Sequence, residues 1–297
     1  MTNRSRRLTL PVLLVALTAG LIAAPASNAA AAKQKYYVAL GDSYAVGYQP
    51  GKGSTRNGYV YQVPGLVKSH GYNLKIVNFG CGGATTTSLI KQKGCNKDAL
   101  GPGAAPYPKQ TQVAAATKFI RAHRSEVALI TVSIGGNDVT ACAREAKAIP
   151  CVGKATAGIK ENVAAAAKAL RAAAGPKPKL IGTTYPDVVL GAWVHPGGAA
   201  AESLAKLSVI AFKSLINPSL VTAYGKGKGS LVDVTTATGG YGSMSVFETL
   251  APYGSIPKPV ADVCRISYYC ELGDIHLTTA GYRVVAELVA DKFVSKK

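Results

Sequence analysis

The chain has 297 residues and a formal net charge of +19, with 34 Lys and Arg against 15 Asp and Glu. Less an export signal, that length suits one large α/β domain or two small ones. The lysines are scattered, with no interleaved aromatics and no recognition-helix pattern, so the basicity points away from a nucleic-acid binder and toward acidic cell-surface polymers or anionic lipid.

Arg4, Arg6 and Arg7 precede an apolar run from Leu8, and small residues from Ala26 to Ala32 follow. This is the order of a secretory signal peptide, expected over residues 1–32, with residues 33–297 forming one domain. Thr9 stands where a twin-arginine signal would carry a large apolar residue, so ordinary secretion is expected. Export removes three arginines and no acid, which leaves a formal charge of +16 on about 265 residues.

Tyr36–Leu40 reads as a buried strand that Gly41-Asp42-Ser43 breaks. Residues 57–70 read as helix despite Pro64. Leu74–Phe79 is a second strand, ended by Gly80-Cys81-Gly82-Gly83. A helix follows over 110–123. Val127–Ile134 is the strongest strand in the chain and stops at Gly135-Gly136-Asn137-Asp138. An alanine-rich helix spans 156–174, with Gly175-Pro176 beyond its end. Leu180–Thr184 is a strand, a long helix covers 199–224, Leu231–Val234 is a fifth strand, and a helix over 280–294 closes the chain. Strands alternate with helices and are almost continuously apolar, as strands covered on both faces are. The expected architecture is therefore α/β, a five-stranded parallel sheet between two helical layers. Ligands bind such sheets beyond the carboxyl ends of the strands, where three of the Gly-rich breaks fall.

Six cysteines in an exported chain predict a disulfide framework. They form three close couples, so the expected pairs are Cys81–Cys95, Cys142–Cys151 and Cys264–Cys270. No Cys-x-x-Cys or paired-histidine spacing supports a metal site.

Ser43 follows a strand directly, a setting that lifts a hydroxyl clear of the backbone, but a serine needs a base before it is a nucleophile. Of four histidines, His70 and His123 sit at helix ends, where a cation is ordinarily structural. His195 lies in an irregular stretch after the fourth strand. His276 sits just before the last helix, two residues after Asp274. Gly83 offers a backbone N–H that no side chain screens, and Asn137 a side-chain amide that does not titrate. Both suit the negative oxygen that builds up in acyl transfer. There is no Gly-x-Ser-x-Gly elbow, P-loop or His-Glu-x-x-His.

Taken together, four segments in order resemble the blocks of the SGNH (GDSL) hydrolase superfamily. They are Tyr37–Tyr44, Asn78–Thr86, Gly135–Asp138, and Asp274-Ile275-His276 followed by Ala280-Gly281-Tyr282. With its six cysteines, the chain also resembles the secreted three-disulfide bacterial lipases and esterases of that superfamily. The resemblance implies a three-layer, flavodoxin-like α/β/α fold that hydrolyses carboxylic esters with no metal or organic cofactor. Ser43 would be the nucleophile and His276 the base. The N–H groups of Ser43 and Gly83 and the Asn137 amide would form the oxyanion hole. The substrate would be a small-molecule or lipid ester, and the expected state is a monomer.

The family pattern carries Asp three residues before the His, where this chain has Gly273. Either Asp274 reaches the imidazole through a re-registered turn, or a backbone carbonyl near Gly273 orients it. On the second reading, Asp274→Asn costs far less than His276→Ala. Chain-length preference is expected from the loops 102–107, 193–198 and 241–255. A lipase, a carbohydrate acetylesterase and a phospholipase all fit this centre. The alternative from a different class is a non-catalytic surface-binding protein on the same scaffold.

Overall fold

The computed structural model describes residues 33–295; the expected signal peptide over 1–32 lies outside the described residues. Five strands form one parallel sheet: β1 (Gln34–Gly41), β2 (Asn73–Asn78), β3 (Val127–Ser133), β4 (Lys179–Thr183) and β5 (Ser230–Val232). Their order is β2-β1-β3-β4-β5. The fold is that of a doubly wound three-layer α/β/α protein, as the alternating apolar segments implied.

Helices cover both faces because each strand is buried on both. One layer holds α1 (Tyr59–Val67) and the C-terminal helix (Thr279–Val294), which pack on each other. The opposite layer holds α2 (Gln112–Ala122), α3 (Ala148–Ala174) and the second half of a long helix, α4, which runs over 199–226. Tyr37, Leu40, Leu129, Ile130 and Ile134 are fully buried between the layers. At about 25 cal/mol per Å² of apolar surface removed from water, burial of such residues is the main term holding the sheet to its helices.

Three boundaries differ from the sequence expectation. The alanine-rich helix α3 begins at Ala148 rather than 156, through Pro150 and Cys151. A proline in the first turn removes only an N–H that has no intrahelical partner. The long helix contains a π turn over Phe212–Ile216. Pro218 follows it and lacks the N–H that would continue the regular ladder. Finally, a hairpin pairs Phe247–Leu250 with Gly254–Pro257 and leads into α5 (Lys258–Ile266), elements that the apolar periodicity did not mark.

Strand order decides where a site can be. The chain crosses from β1 to β2 on one side, then returns to β3 on the other. The switch point therefore lies beyond the carboxyl ends of β1 and β3, where a crevice opens. The segments Gly41–Ser43 and Gly135–Asn137 stand at those two ends, and Gly80–Gly83 follows β2 next to them.

Candidate active site

Ser43 opens a single helical turn, Ser43–Val46, directly after β1, and is 6% exposed. Asp42 caps that turn by accepting the N–H of Tyr44 at 3.0 Å. Gly41 has φ +135°, and an added Cβ would stand 2.1 Å from the Ser133 carbonyl oxygen on β3. Only glycine lets β1 and β3 approach this closely at the point where the nucleophile leaves the sheet. Gln112, the first residue of α2, fixes the same spot. Its Oε1 accepts from the Gly41 N–H at 2.6 Å, and its Nε2 donates to the Gly41 carbonyl at 3.0 Å.

The other Ser43 flank is also braced. The Tyr185 hydroxyl donates to Asp42 Oδ2 at 2.5 Å. Burial pushes the Asp42 carboxyl up to about 7, and the hydrogen bonds from Tyr185 and Tyr44 hold it from rising further. Asn78 Nδ2 donates to the Ala45 carbonyl at 2.8 Å, while its Oδ1 accepts from Gly80 N–H at 2.8 Å. Asn78 thus ties the Ser43 turn to the loop that carries Gly83.

Gly83 is exposed, and an added Cβ there would meet nothing within 4 Å. Asn137, in the first turn after Gly135, donates through Nδ2 to the Ala84 carbonyl at 2.9 Å. The second amide hydrogen of Asn137 remains for a further acceptor. Asp138 receives the Thr86 N–H at 2.9 Å and the Thr86 hydroxyl at 2.6 Å. The Asn137–Asp138 pair therefore ties the segment that follows Gly83 to the turn after β3.

His276 precedes the last helix. Asp274 Oδ1 lies 2.7 Å from His276 Nδ1 and accepts the His276 backbone N–H at 2.9 Å. Between the two arrangements open at Gly273, the geometry is a carboxylate partner. Gly273 ends a short helical turn, and the chain reverses so that a residue two before the histidine folds back on it. His276 Nε2 is buried and has no hydrogen-bond partner, so in this structure it makes no bond to Ser43 Oγ. Burial lowers the His276 pKa from its ordinary 6.5, and Asp274 opposes that shift as the smaller effect. The imidazole packs on the Tyr48 ring, with centroids 4.4 Å apart.

Two contacts bring this segment to Ser43. The Tyr44 hydroxyl donates to the Ile275 carbonyl at 2.7 Å, joining the neighbour of Ser43 to the neighbour of His276. Ser43, Asn137, Gly273 and Ile275 also line one cavity of about 280 Å³. Its farther wall is apolar, built from Ile149, Val152, Val188, Leu204 and Phe212 among others. The loops 102–107 and 241–255 do not reach it, contrary to expectation. From the loop 193–198, His195, Pro196 and Gly197 border a neighbouring, more open hollow that Leu204 and Gly273 share. The wall is instead helical: the start of α3, the first half of α4 and the turn after β4.

Each disulfide braces one part of this arrangement. Cys81–Cys95 closes the Gly83 loop, Cys142–Cys151 closes the segment at the cavity wall, and Cys264–Cys270 closes the stretch against which His276 is pinned. Tyr268 N–H donates to the His276 carbonyl at 2.9 Å, and Thr278 N–H to the Ile266 carbonyl at 2.9 Å. Short loops of this kind limit the unfolded chain locally.

The remaining histidines sort by contact. His123 pairs with Glu126 at 3.3 Å, and His70 ends a 3-10 turn. His195 Nε2 lies 2.6 Å from the Tyr269 carbonyl, which also accepts the Gly273 N–H at 2.8 Å. His195 therefore holds the turn that sets Asp274. In the sequence it lies in an irregular stretch after the fourth strand, with no signal of this contact. The roles of Gln112 and Tyr185, and the tie from Asn78 to Ala45, have no sequence signal because these polar atoms meet partners far away in sequence.

A family model described as the GDSL-like lipase/acylhydrolase family matches residues 39–210. No curated protein matches the chain. Among solved structures, the chain is similar to an extracellular lipase from Streptomyces rimosus, with 17% identity and TM-score 0.49 over 86% of this chain and 98% of that one. It is similar to a phospholipase A1 from Streptomyces albidoflavus NA297, with 16% identity and TM-score 0.48 over 87% and 99%. It is also similar to the lipase Lip_vut3 from a goat rumen metagenome, with 14% identity and TM-score 0.50 over 86% and 95%. At such identities the likeness bears on the fold alone.

Proposed function

The chain belongs to the GDSL-like lipase/acylhydrolase family and is an ester hydrolase, and from that premise we propose an exported lipase or fatty-acyl esterase working through Ser43, His276 and Asp274. His276 carries the reading. Its Nδ1 is held by a carboxylate while its Nε2 is buried and unpartnered, on a segment tied to the neighbour of Ser43. A base must keep one nitrogen free for the nucleophile's proton while the other fixes the tautomer.

In the proposed reaction His276 Nε2 removes the Ser43 proton as Oγ attacks the acyl carbon. The oxyanion is met by the N–H groups of Ser43 and Gly83 and by the free amide hydrogen of Asn137. The imidazolium, stabilised by Asp274, then returns the proton to the leaving alcohol. Water repeats the sequence on the acyl-enzyme. The apolar cavity receives the acyl chain, which favours fatty-acyl substrates over acetyl ones. Its volume lies at the lower end for ligand sites, as a medium chain requires. The test is hydrolysis of p-nitrophenyl acetate, butyrate, octanoate and palmitate by the protein lacking residues 1–32, beside Ser43→Ala. An acetate optimum with no gain toward octanoate would contradict the acyl-chain assignment.

The cavity wall gives a specific expectation. Ala211 is buried in it. Ala211→Phe should lower kcat/KM for octanoate by at least about 10-fold and leave acetate within about 3-fold, since each methylene excluded from an apolar pocket is worth about 1–3 kcal/mol. Equal losses on both esters would mean that Ala211 does not face the acyl chain.

Acid dependence follows from the histidine. Because burial lowers its pKa, His276 stays neutral below the range of a free imidazole. The acid limb of kcat/KM should therefore fall at a pH below 6.5. Asp274 raises the His276 pKa, so Asp274→Asn should move that limb to still lower pH. A limb that moves upward in the variant would show that Asp274 does not act on the imidazole.

A further inference from the structure

The end of the sheet opposite the active site carries a concave surface of a single charge sign. A groove of about 810 Å³ opens where β4 and β5 begin. Arg124, Lys168, Lys226, Lys228 and Lys292 line it and are all exposed, and no aspartate or glutamate lines it. None of these five joins an ion pair among the described residues.

The groove is also built, and its shape is not that of a loose lysine tail. Arg171 of α3 donates to the carbonyls of Gly175, Pro178, Gly227 and Lys228 at 2.8–3.2 Å, fastening the turn over 226–229 to the helix. Gly227 packs directly on Ala167, beside Lys168. Lys228, at φ +51°, is the single described non-glycine residue in the left-handed region. Glycines flank it on both sides, so the position that carries a side chain is the one where the backbone least favours it. A strained residue whose exposed lysine projects into a groove of unpaired cations points to a ligand.

We propose that this groove binds a polymer bearing many phosphates and so holds the enzyme on such a polymer. Lysine ammoniums are flexible point charges that accept phosphates at variable spacing. A lipid bilayer is disfavoured by position. From Lys179 in the groove, the chain runs through β4 to Pro186 at the catalytic cavity, roughly 20 Å along the strand direction. A membrane bound at the basic end would leave the acyl cavity facing away from its lipid, whereas a polymer bound there leaves the cavity open to diffusing esters.

The test is binding of fluorescein-labelled poly(glycerol phosphate), followed by anisotropy across a salt series. Three proteins are compared: wild type, Lys168→Gln/Lys226→Gln/Lys228→Gln, and a charge-matched control, Lys52→Gln/Lys91→Gln/Lys97→Gln, made at exposed lysines elsewhere. The groove variant should bind at least about 10-fold more weakly, with the slope of log Kd against log salt reduced by about one per lysine. The control should stay within about 2-fold. Equal weakening in both variants would reduce the effect to net charge and overturn the proposal. So would tighter wild-type binding to phosphatidylserine vesicles or to duplex DNA than to the polymer. Hydrolysis of p-nitrophenyl acetate, unchanged in both variants, establishes that they are folded and keeps this outcome separate from the catalytic assignment.

Discussion

Ser43→Ala should lower kcat on p-nitrophenyl octanoate by at least about 10⁴-fold, with KM little changed. Ser43 Oγ is the atom that would bond to the acyl carbon, and no other described serine or cysteine lines the cavity as an available nucleophile: Ser208 Oγ donates to Asp187 at 2.8 Å, and Cys142 is in a disulfide. His276→Ala should cost about as much, and the double variant no more than either single one, because groups that act as a unit are not additive. Asp274→Asn is the sharper measurement. The carboxylate at 2.7 Å from Nδ1 sets the tautomer that leaves Nε2 free to accept a proton. An asparagine can turn its amide toward Nδ1 and favour the wrong tautomer, so a loss of about 10³- to 10⁴-fold is expected. A loss under about 10-fold would return the orienting role to a backbone carbonyl near Gly273, and the centre would be a Ser–His dyad. Circular dichroism and thermal unfolding of each variant separate a dead base from a misfolded protein.

Gly41→Ala should be among the most damaging single methyls at any described glycine. Its Cβ would sit 2.1 Å from the Ser133 carbonyl oxygen and 2.8 Å from the Ser133 Oγ, both on the adjoining strand. Relief requires β1 and β3 to separate or Gly41 to abandon φ +135°, and either breaks the paired hydrogen bonds with Gln112. A destabilisation above about 4 kcal/mol is expected from overlap with backbone in a packed core. For a domain of this size that lowers Tm by at least about 7 °C. Thermal unfolding reads it directly, and activity at low temperature gives the second readout. A variant that melts within about 2 °C of wild type would show that the two strand ends are not held this closely.

The sequence by itself determined the layer order and pointed to the candidate reacting groups. Five apolar runs alternating with helical periodicity leave little choice but a parallel sheet, because a strand buried on both faces must be covered on both. Ser43, Gly83, Asn137 and His276 were legible because each needs a local setting: a strand end, an unscreened amide, a helix start. The three close cysteine couples were legible for the same reason. The tertiary structure decided what depends on partners distant in the chain. Gln112 reaches Gly41 across 71 residues, and Tyr185 reaches Asp42 across 143. In the sequence one is a glutamine opening a helix and the other a tyrosine before a proline. Asp274 could be assigned to His276 only once the turn at Gly273 was seen to fold back. The wall of the cavity proposed to receive the acyl chain was hidden most completely. Leu204, Ala211 and Phe212 repeat at helical spacing, and a cavity-lining face and a core face obey the same apolar periodicity. Which of the two a helix presents is set by whether another element packs against it, and no local pattern encodes a gap.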